Sequence, residues 1–353
     1  MNFQGLGAAT LIGSMPQKDR QKAIELILQT VPEIPVWPQL PLYPDEQMMA
    51  QYIEGLPGLV TVESRQFVRS DTEEFDRQML QFYEQFLAVE EGSLLVENSS
   101  CAMGEETGVT FRCFLKNIEC ANMSFRALKG QVVGPFTLLT GMKDQSGRAL
   151  IYDERFLDLV PKLLGLKARW QIELMKKFGV PIIIFLDEPG LAGFGSSAFI
   201  TLSAELVCGL LSEVAEAVHQ AGGIAGIHVC ANTDWFLAFE SGFDVINFDS
   251  YGYFDKFALY RKEWLNLIAN GGNVAWGVIP TSDLETIRLE TPETLADRWI
   301  GQMRELAGNE IGIEEVIVHS LFTPSCGCGS LPENYAARVL DLLDGFCRIV
   351  RRK

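Results

Sequence analysis

Short, nearly unbroken apolar runs recur along the chain, separated by longer stretches in which apolar residues return every three or four positions. The runs Ile182–Asp187, Ile224–Val229, Val245–Phe248 and 274–278 are rich in β-branched residues and stop at polar ones, which predicts buried strands. Similar runs at 10–14, 34–40, 130–135 and 316–320 bring the count to eight, starting at Thr10, Ile34, Gly130, Ile182, Ile224, Val245, Val274 and Val316. The stretches between them, such as 18–30, 154–177, Ala204–Gln220 and 294–307, have helical spacing. Pro35, Pro38 and Pro41 make the second strand short and irregular, because proline cannot donate to a sheet ladder.

Apolar strands that alternate with helices imply a parallel sheet covered on its outer face. Eight of them predict an α/β fold consisting of a single (β/α)8 TIM barrel over residues 1–353. The least regular part, 45–128, carries an acidic helix near 71–90 and reads as an insertion between early strands. A doubly wound sheet is the alternative, but the Gly-rich phosphate fingerprint is missing after the first strand. The polar residues favour the barrel: Ser14, Asp187, Glu188, His228, Cys230, Asp249 and Cys326 all fall at or just past strand C-termini, the catalytic face of such barrels.

Composition narrows the possible partners. With 353 residues, 48% of them hydrophobic, the chain can bury a large core. A formal net charge of −17 opposes a nucleic-acid backbone, which needs clustered Lys and Arg. The one basic cluster, 348–353, reads as a solvated tail. No apolar run is long enough to span a bilayer. Residues 1–11 lack a basic segment and a cleavage site, so a cytoplasmic protein is expected, with neither nucleic acid nor membrane as partner. Eight cysteines are too sparse for a disulfide scaffold in a chain this long, so reduced thiols are expected.

Three of those thiols invite a functional account. His228 and Cys230 are two apart at the end of a predicted strand, so both point to one face. Cys326, flanked by glycine after another strand-like run, supplies a further thiolate, and imidazole with thiolates selects zinc. Asp249 stands at a strand end, placed as a fourth, displaceable ligand. An ion carrying two thiolates and a carboxylate is electron-rich. It is poorly suited to polarising carbonyls and well suited to holding a substrate thiol as a thiolate. The competing description is that His-x-Cys arises by chance and that buried cysteines are small hydrophobes. Cys328 is a bystander thiol or spare ligand, His319 a core residue within a strand, and His219 an exposed helix residue.

Asp187 and Glu188 follow a buried strand directly, where desolvation demands a cation or a donor. They are assigned as catalytic, with Asp187 also receiving a substrate ammonium group; a helix cap or ion pair is the alternative. Gly13 and Ser14 are placed to bind a substrate carboxylate, or else form an ordinary turn.

These segments together resemble a known family. Leu11-Ile12-Gly13-Ser14-Met15-Pro16-Gln17, Leu186-Asp187-Glu188-Pro189, Ile227-His228-Val229-Cys230, Asp244-Val245-Ile246-Asn247-Phe248-Asp249 and Pro324-Ser325-Cys326-Gly327 are similar, in order, to the motifs of the catalytic barrel of cobalamin-independent methionine synthases. That superfamily also holds uroporphyrinogen decarboxylase and the methylcobamide:thiol methyltransferases. The resemblance implies zinc on His228, Cys230 and Cys326, homocysteine as the bound thiol, and Ser14 and Asp187 at its amino-acid end. The family's fourth ligand is a glutamate, matched here by Asp249, one methylene shorter.

Three departures concern the methyl donor. Nothing corresponds to the N-terminal half that helps bind folate. The histidine after the seventh strand is replaced around Thr281-Ser282, and no counterpart of a substrate-binding glutamate is evident between 55 and 125. Single-barrel relatives are thought to use a methylcorrinoid, so methylcobalamin or a methylated corrinoid, often on a separate carrier protein, is the expected donor. An acidic surface is compatible with docking a basic patch on such a carrier. The alternatives are a coenzyme M-type methyltransferase, a metal-free decarboxylase of the uroporphyrinogen type, and a non-catalytic corrinoid- or thiol-binding barrel.

Overall fold

The computed structural model describes residues 3–63, 65–197 and 199–352, so the ends of the N-terminal stretch and of the basic tail lie outside it. Its strands are β1 (Ala8–Ala9), β2 (Leu59–Val62), β3 (Arg65–Val68), β4 (Leu128–Val133), β5 (Ile182–Asp187), β6 (Ile224–Val229), β7 (Val245–Phe248), β8 (Asn273–Ile279) and β9 (Ser320–Pro324). Seven form one parallel sheet in the order β1-β9-β8-β7-β6-β5-β4, while β2 and β3 pair as a separate antiparallel hairpin.

The strands are apolar on both faces because both faces are buried. Along β5, Ile183 and Phe185 point inward to a small cluster with Ala8, Ile224, Val245, Ala275 and Leu321. Ile184 and Leu186 point outward into the main core beneath the helices. Phe185 crosses the interior only because residue 226 is glycine: a Cβ there would stand 2.3 Å from the ring. The Lys129 ammonium lies 4.3 Å from the centre of the same ring.

Three predicted strands differ from what forms. The first pairs as a strand only at Ala8–Ala9, before the expected 10–14. The segment 34–40 is not a strand; it makes isolated parallel bridges, Val36 with Lys129 and Gln39 with Ser14. Its prolines remove donors from the ladder. The bonds Lys129 N–H to Pro35 O (2.9 Å) and Gln39 N–H to Gly13 O (3.0 Å) still tie it to both edges of the sheet. Seven strands with this bridging segment are consistent with a (β/α)8-type barrel. The last strand begins at Ser320, because 316–318 belong to a helix, Ile313–Val318. A short apolar run there fits either period.

The helices keep close to their predicted bounds, and their starts are set by capping side chains. α1 (Arg20–Thr30) is capped by Asp19, and α2 (Glu73–Glu90) by Thr72. α3 (Val109–Cys120) and α4 (Pro135–Gly141) precede α5 (Glu154–Met175), capped by Asp153, and α6 (Ala204–Gln220), capped by Ser203. Past β6 and β7 come the short α7 (Phe236–Glu240) and α8 (Ser250–Phe257). Residues 45–128 pack on α5 through Phe75 against Phe156 and Phe111 against Trp170, with ring centres 5.7 and 4.8 Å apart. Among the described residues no helix is long and apolar enough to cross a membrane.

His319 lies just before β9 rather than in a strand, where its ring bonds to Gly272 O at 2.9 Å. His219 is not free on its helix: it bonds Asp244 Oδ2 at 2.7 Å.

Candidate metal centre

β6 carries His228 on its inner face, and the next inward position is Cys230, one residue past the strand. β9 delivers Cys326 two residues beyond its end. The three side chains converge at the C-terminal end of the sheet, with one donor atom from each lying within 4.8 Å of the others. His228 is buried, and its Nε2 has no hydrogen-bond partner. A buried nitrogen without a partner carries a desolvation cost that a metal ion would relieve. On the far side of the ring, Nδ1 meets Oδ1 of Asn247 on β7.

The thiols are poised for a cation. The Cys326 thiol bonds to Cys230, and with His228 nearby this brings Cys230 down to about 4. The same bond, together with burial, pushes Cys326 up. Burial disfavours a charged His228, but Cys230 and Asp187 outweigh it and make the ring more basic. A soft donor set of two thiols and an imidazole fits zinc, which would take both sulfurs as thiolates.

The centre opens on a cavity of about 290 Å³, whose walls include Ile12, Ser14, Gln39, Met48, Asp187 and Pro189. No lysine or arginine is among its lining residues. Asp187 ends β5 with its Oδ1 buried and unpartnered. Burial raises it to about 6, against the pull of His228 and of Lys129. Lys129 reaches up from β4, fully buried, and donates to Ile12 O at 2.7 Å. Burial lowers it to about 7.

Ser14 is built into the loop that bears Cys326. Its carbonyl accepts from Cys328 N–H (2.9 Å) and its hydroxyl oxygen from Gly329 N–H (3.2 Å). The fit requires glycine at 327, where a Cβ would come within 2.0 Å of Ser14 Oγ. Gly13, at φ 146°, turns the chain where a Cβ would lie 2.9 Å from Gln131 Oε1.

Two assigned residues are turned elsewhere. Glu188 does not line the cavity. Its buried carboxylate accepts from Phe136 N–H (2.9 Å), Thr137 N–H (2.8 Å) and Thr137 Oγ1 (2.6 Å), so it closes the start of α4. Asp249 is the N-cap of α8, accepting from Gly252 N–H at 2.8 Å, and it is not among the three grouped donors. Cys328 is buried, pushed up to about 12, and likewise stands apart from the group. At the position where the resemblance has a histidine, Thr281 pairs with Ser325 at 2.9 Å, next to Cys326.

Sequence reading missed Lys129 and Asn247. Both were detectable as polar residues at inward positions of strands buried on both faces.

No family model matches the chain, and no curated protein does. Among solved structures, it is similar to a B12-independent methionine synthase from Shewanella sp. W3-18-1, in complex with selenomethionine. That likeness has 17% identity and a TM-score of 0.55, covering 98% of this chain and 97% of that one. A methyltransferase from Methanosarcina mazei gives 11% and 0.46, covering 96% and 94%. A GH20 catalytic module of the pneumococcal exo-beta-D-N-acetylglucosaminidase gives 12% and 0.47, covering 98% and 85%. At such identities the likeness speaks for the fold, so the chemistry must be argued from the side chains.

Proposed function

We propose that this chain is a zinc-dependent methyltransferase that moves a methyl group to a thiol, homocysteine giving methionine, from a methylcorrinoid donor. The observation that carries the reading is the buried, unpartnered Nε2 of His228 facing the Cys230 and Cys326 thiols at the mouth of a cavity. Zinc, when bound, holds a substrate thiol as its thiolate and keeps it nucleophilic.

The remaining work falls to the chain itself. His228, Cys230 and Cys326 would hold the ion, with Asp249 as an added oxygen ligand only if it leaves its cap. Asp187 Oδ1, an acceptor lacking a donor, suits the ammonium group of an amino-acid substrate. Ser14 keeps its hydroxyl proton free to donate to a carboxylate, because its oxygen already accepts from Gly329. The cavity walls orient the thiol toward a donor above, which lowers the entropic part of the barrier.

By the resemblance, the family's catalytic histidine is replaced around Thr281-Ser282, and Thr281 here pairs with Ser325. Transfer from a folate amine needs protonation of the leaving nitrogen, whereas a methylcorrinoid leaves without taking a proton, so the corrinoid donor fits this chain better. Ile200, Phe236 and Leu284, on segments that follow strands at this end of the sheet, and Leu42, after the bridging segment 34–40, are exposed and offer apolar contact to such a donor. The absence of lysine and arginine from the described cavity walls disfavours both a sulfonate thiol such as coenzyme M and a substrate with several propionates.

The test is methionine formation from methylcobalamin and homocysteine by the zinc-loaded protein, with Cys230→Ala as control. Turnover by the wild type alone supports the reading. Equal rates in both proteins, or none in either with every corrinoid donor tried, would overturn it.

A further inference from the structure

The interior of the sheet offers one more residue with a defined task. Asn247 is fully buried on β7, and its amide is held from two sides. Nδ2 donates to Ala275 O on β8 at 2.7 Å and to Thr323 Oγ1 on β9 at 2.9 Å. A backbone carbonyl only accepts, so the amide nitrogen must face β8 and β9, and Oδ1 must face β6. There Oδ1 meets His228 Nδ1. Because Oδ1 can only accept, the neutral ring, the form that binds a metal, carries its proton on Nδ1 and its lone pair on Nε2, the atom without a protein partner.

We propose that Asn247 is a positioning residue that commits His228 to bind metal through Nε2 and fixes the plane of its ring. The inference rests on reading His228, Cys230 and Cys326 as a metal centre. It adds that the clamp runs across four strands, from Thr323 on β9 and Ala275 on β8 through Asn247 on β7 to His228 on β6. An amide is required at its middle: a carboxylate at 247 would turn an acceptor toward Ala275 O, and an aliphatic side chain would leave Nδ1 without a partner. The ligand-bearing strand is thereby tied to the strand that leads to Cys326.

The experiment uses zinc-loaded protein. The chain has three histidines, so their ring nitrogens can be resolved by 15N NMR. The inference expects His228 bound through Nε2, with a hydrogen-bonded proton on Nδ1; zinc on Nδ1 would overturn it without any variant being made. Zinc affinity, measured by competition with a chromophoric chelator, is expected to fall about 10- to 100-fold in Asn247→Leu. It should fall less in Thr323→Val, which removes one of the two bonds that orient the amide. An affinity within about two-fold of wild type in a folded Asn247→Leu overturns the inference and leaves the metal centre standing. If Asn247→Leu does not fold, an altered Nδ1 proton signal in Thr323→Val supports the clamp and an unchanged one overturns it. Wild-type protein that takes up no zinc would remove the centre and this inference together.

Discussion

At the residue scale, the carboxylates divide according to what they touch. Asp187 keeps an unpartnered oxygen in the cavity, while Glu188, its neighbour in sequence, is consumed by the start of α4. Replacing Glu188 with Ala strands the Phe136 and Thr137 donors and should cost about 1–3 kcal/mol in chemical denaturation, with zinc affinity retained. A loss of zinc at unchanged stability would return Glu188 to the site. Asp249→Ala removes a helix cap and should cost about 1 kcal/mol with little effect on zinc. A drop in zinc affinity of about ten-fold or more would instead make Asp249 a ligand.

His219 gives a pH-dependent test away from the centre. Its bond to Asp244 raises it above the ordinary value of 6.5. The folded ring thus keeps its proton to higher pH than the unfolded one, so the pair's contribution is fully present below the unfolded value. It is lost as pH rises through the folded value. The stability difference between wild type and His219→Gln should therefore shrink as pH rises above about 6.5. A difference that grows over this range would contradict the assignment.

At the scale of elements, the strands that were legible are those whose composition leaves one choice. Ile182–Asp187, Ile224–Val229 and Val245–Phe248 form with the expected bounds, because β-branched runs closed by polar residues fit no helix face. The segment 34–40 was legible in position but not in form, since its prolines prevent a ladder that its neighbours nevertheless bracket. The run at 316–318 was misread, because a single apolar turn of helix and a short strand look alike. Of the candidate metal site, the shared face of His228 and Cys230 was legible from alternation alone. The bonds of Asn247 were not, because they depend on which strands are neighbours, and neither was the contact of Glu188 with α4, where Thr137 precedes it by 51 residues. Close packing inside the sheet offers its own test. Gly226→Ala puts a methyl group 2.3 Å from Phe185 Cδ1. It should cost about 1–3 kcal/mol by overpacking the floor below His228. A fully stable variant would mean that Phe185 has room to move.

For the whole molecule, the fold sets the chemistry by where strands end. Loops after β6 and β9 bring donors almost a hundred residues apart in sequence to one point, and β5 sets Asp187 beside them. The net charge of −17 also bears on the donor proposed above: a polyanionic folate tail would approach against the protein's own field, whereas a corrinoid, or a basic carrier bearing one, would not. A thiol-activating zinc ion held by the three donors is the core of the proposed function, and zinc content per chain, measured by elemental analysis in the wild type and in Cys230→Ala and Cys326→Ser, decides it. About one zinc is expected in the wild type, lost in both variants. A wild type that takes up no zinc after anaerobic reconstitution, or variants that keep theirs, would contradict it.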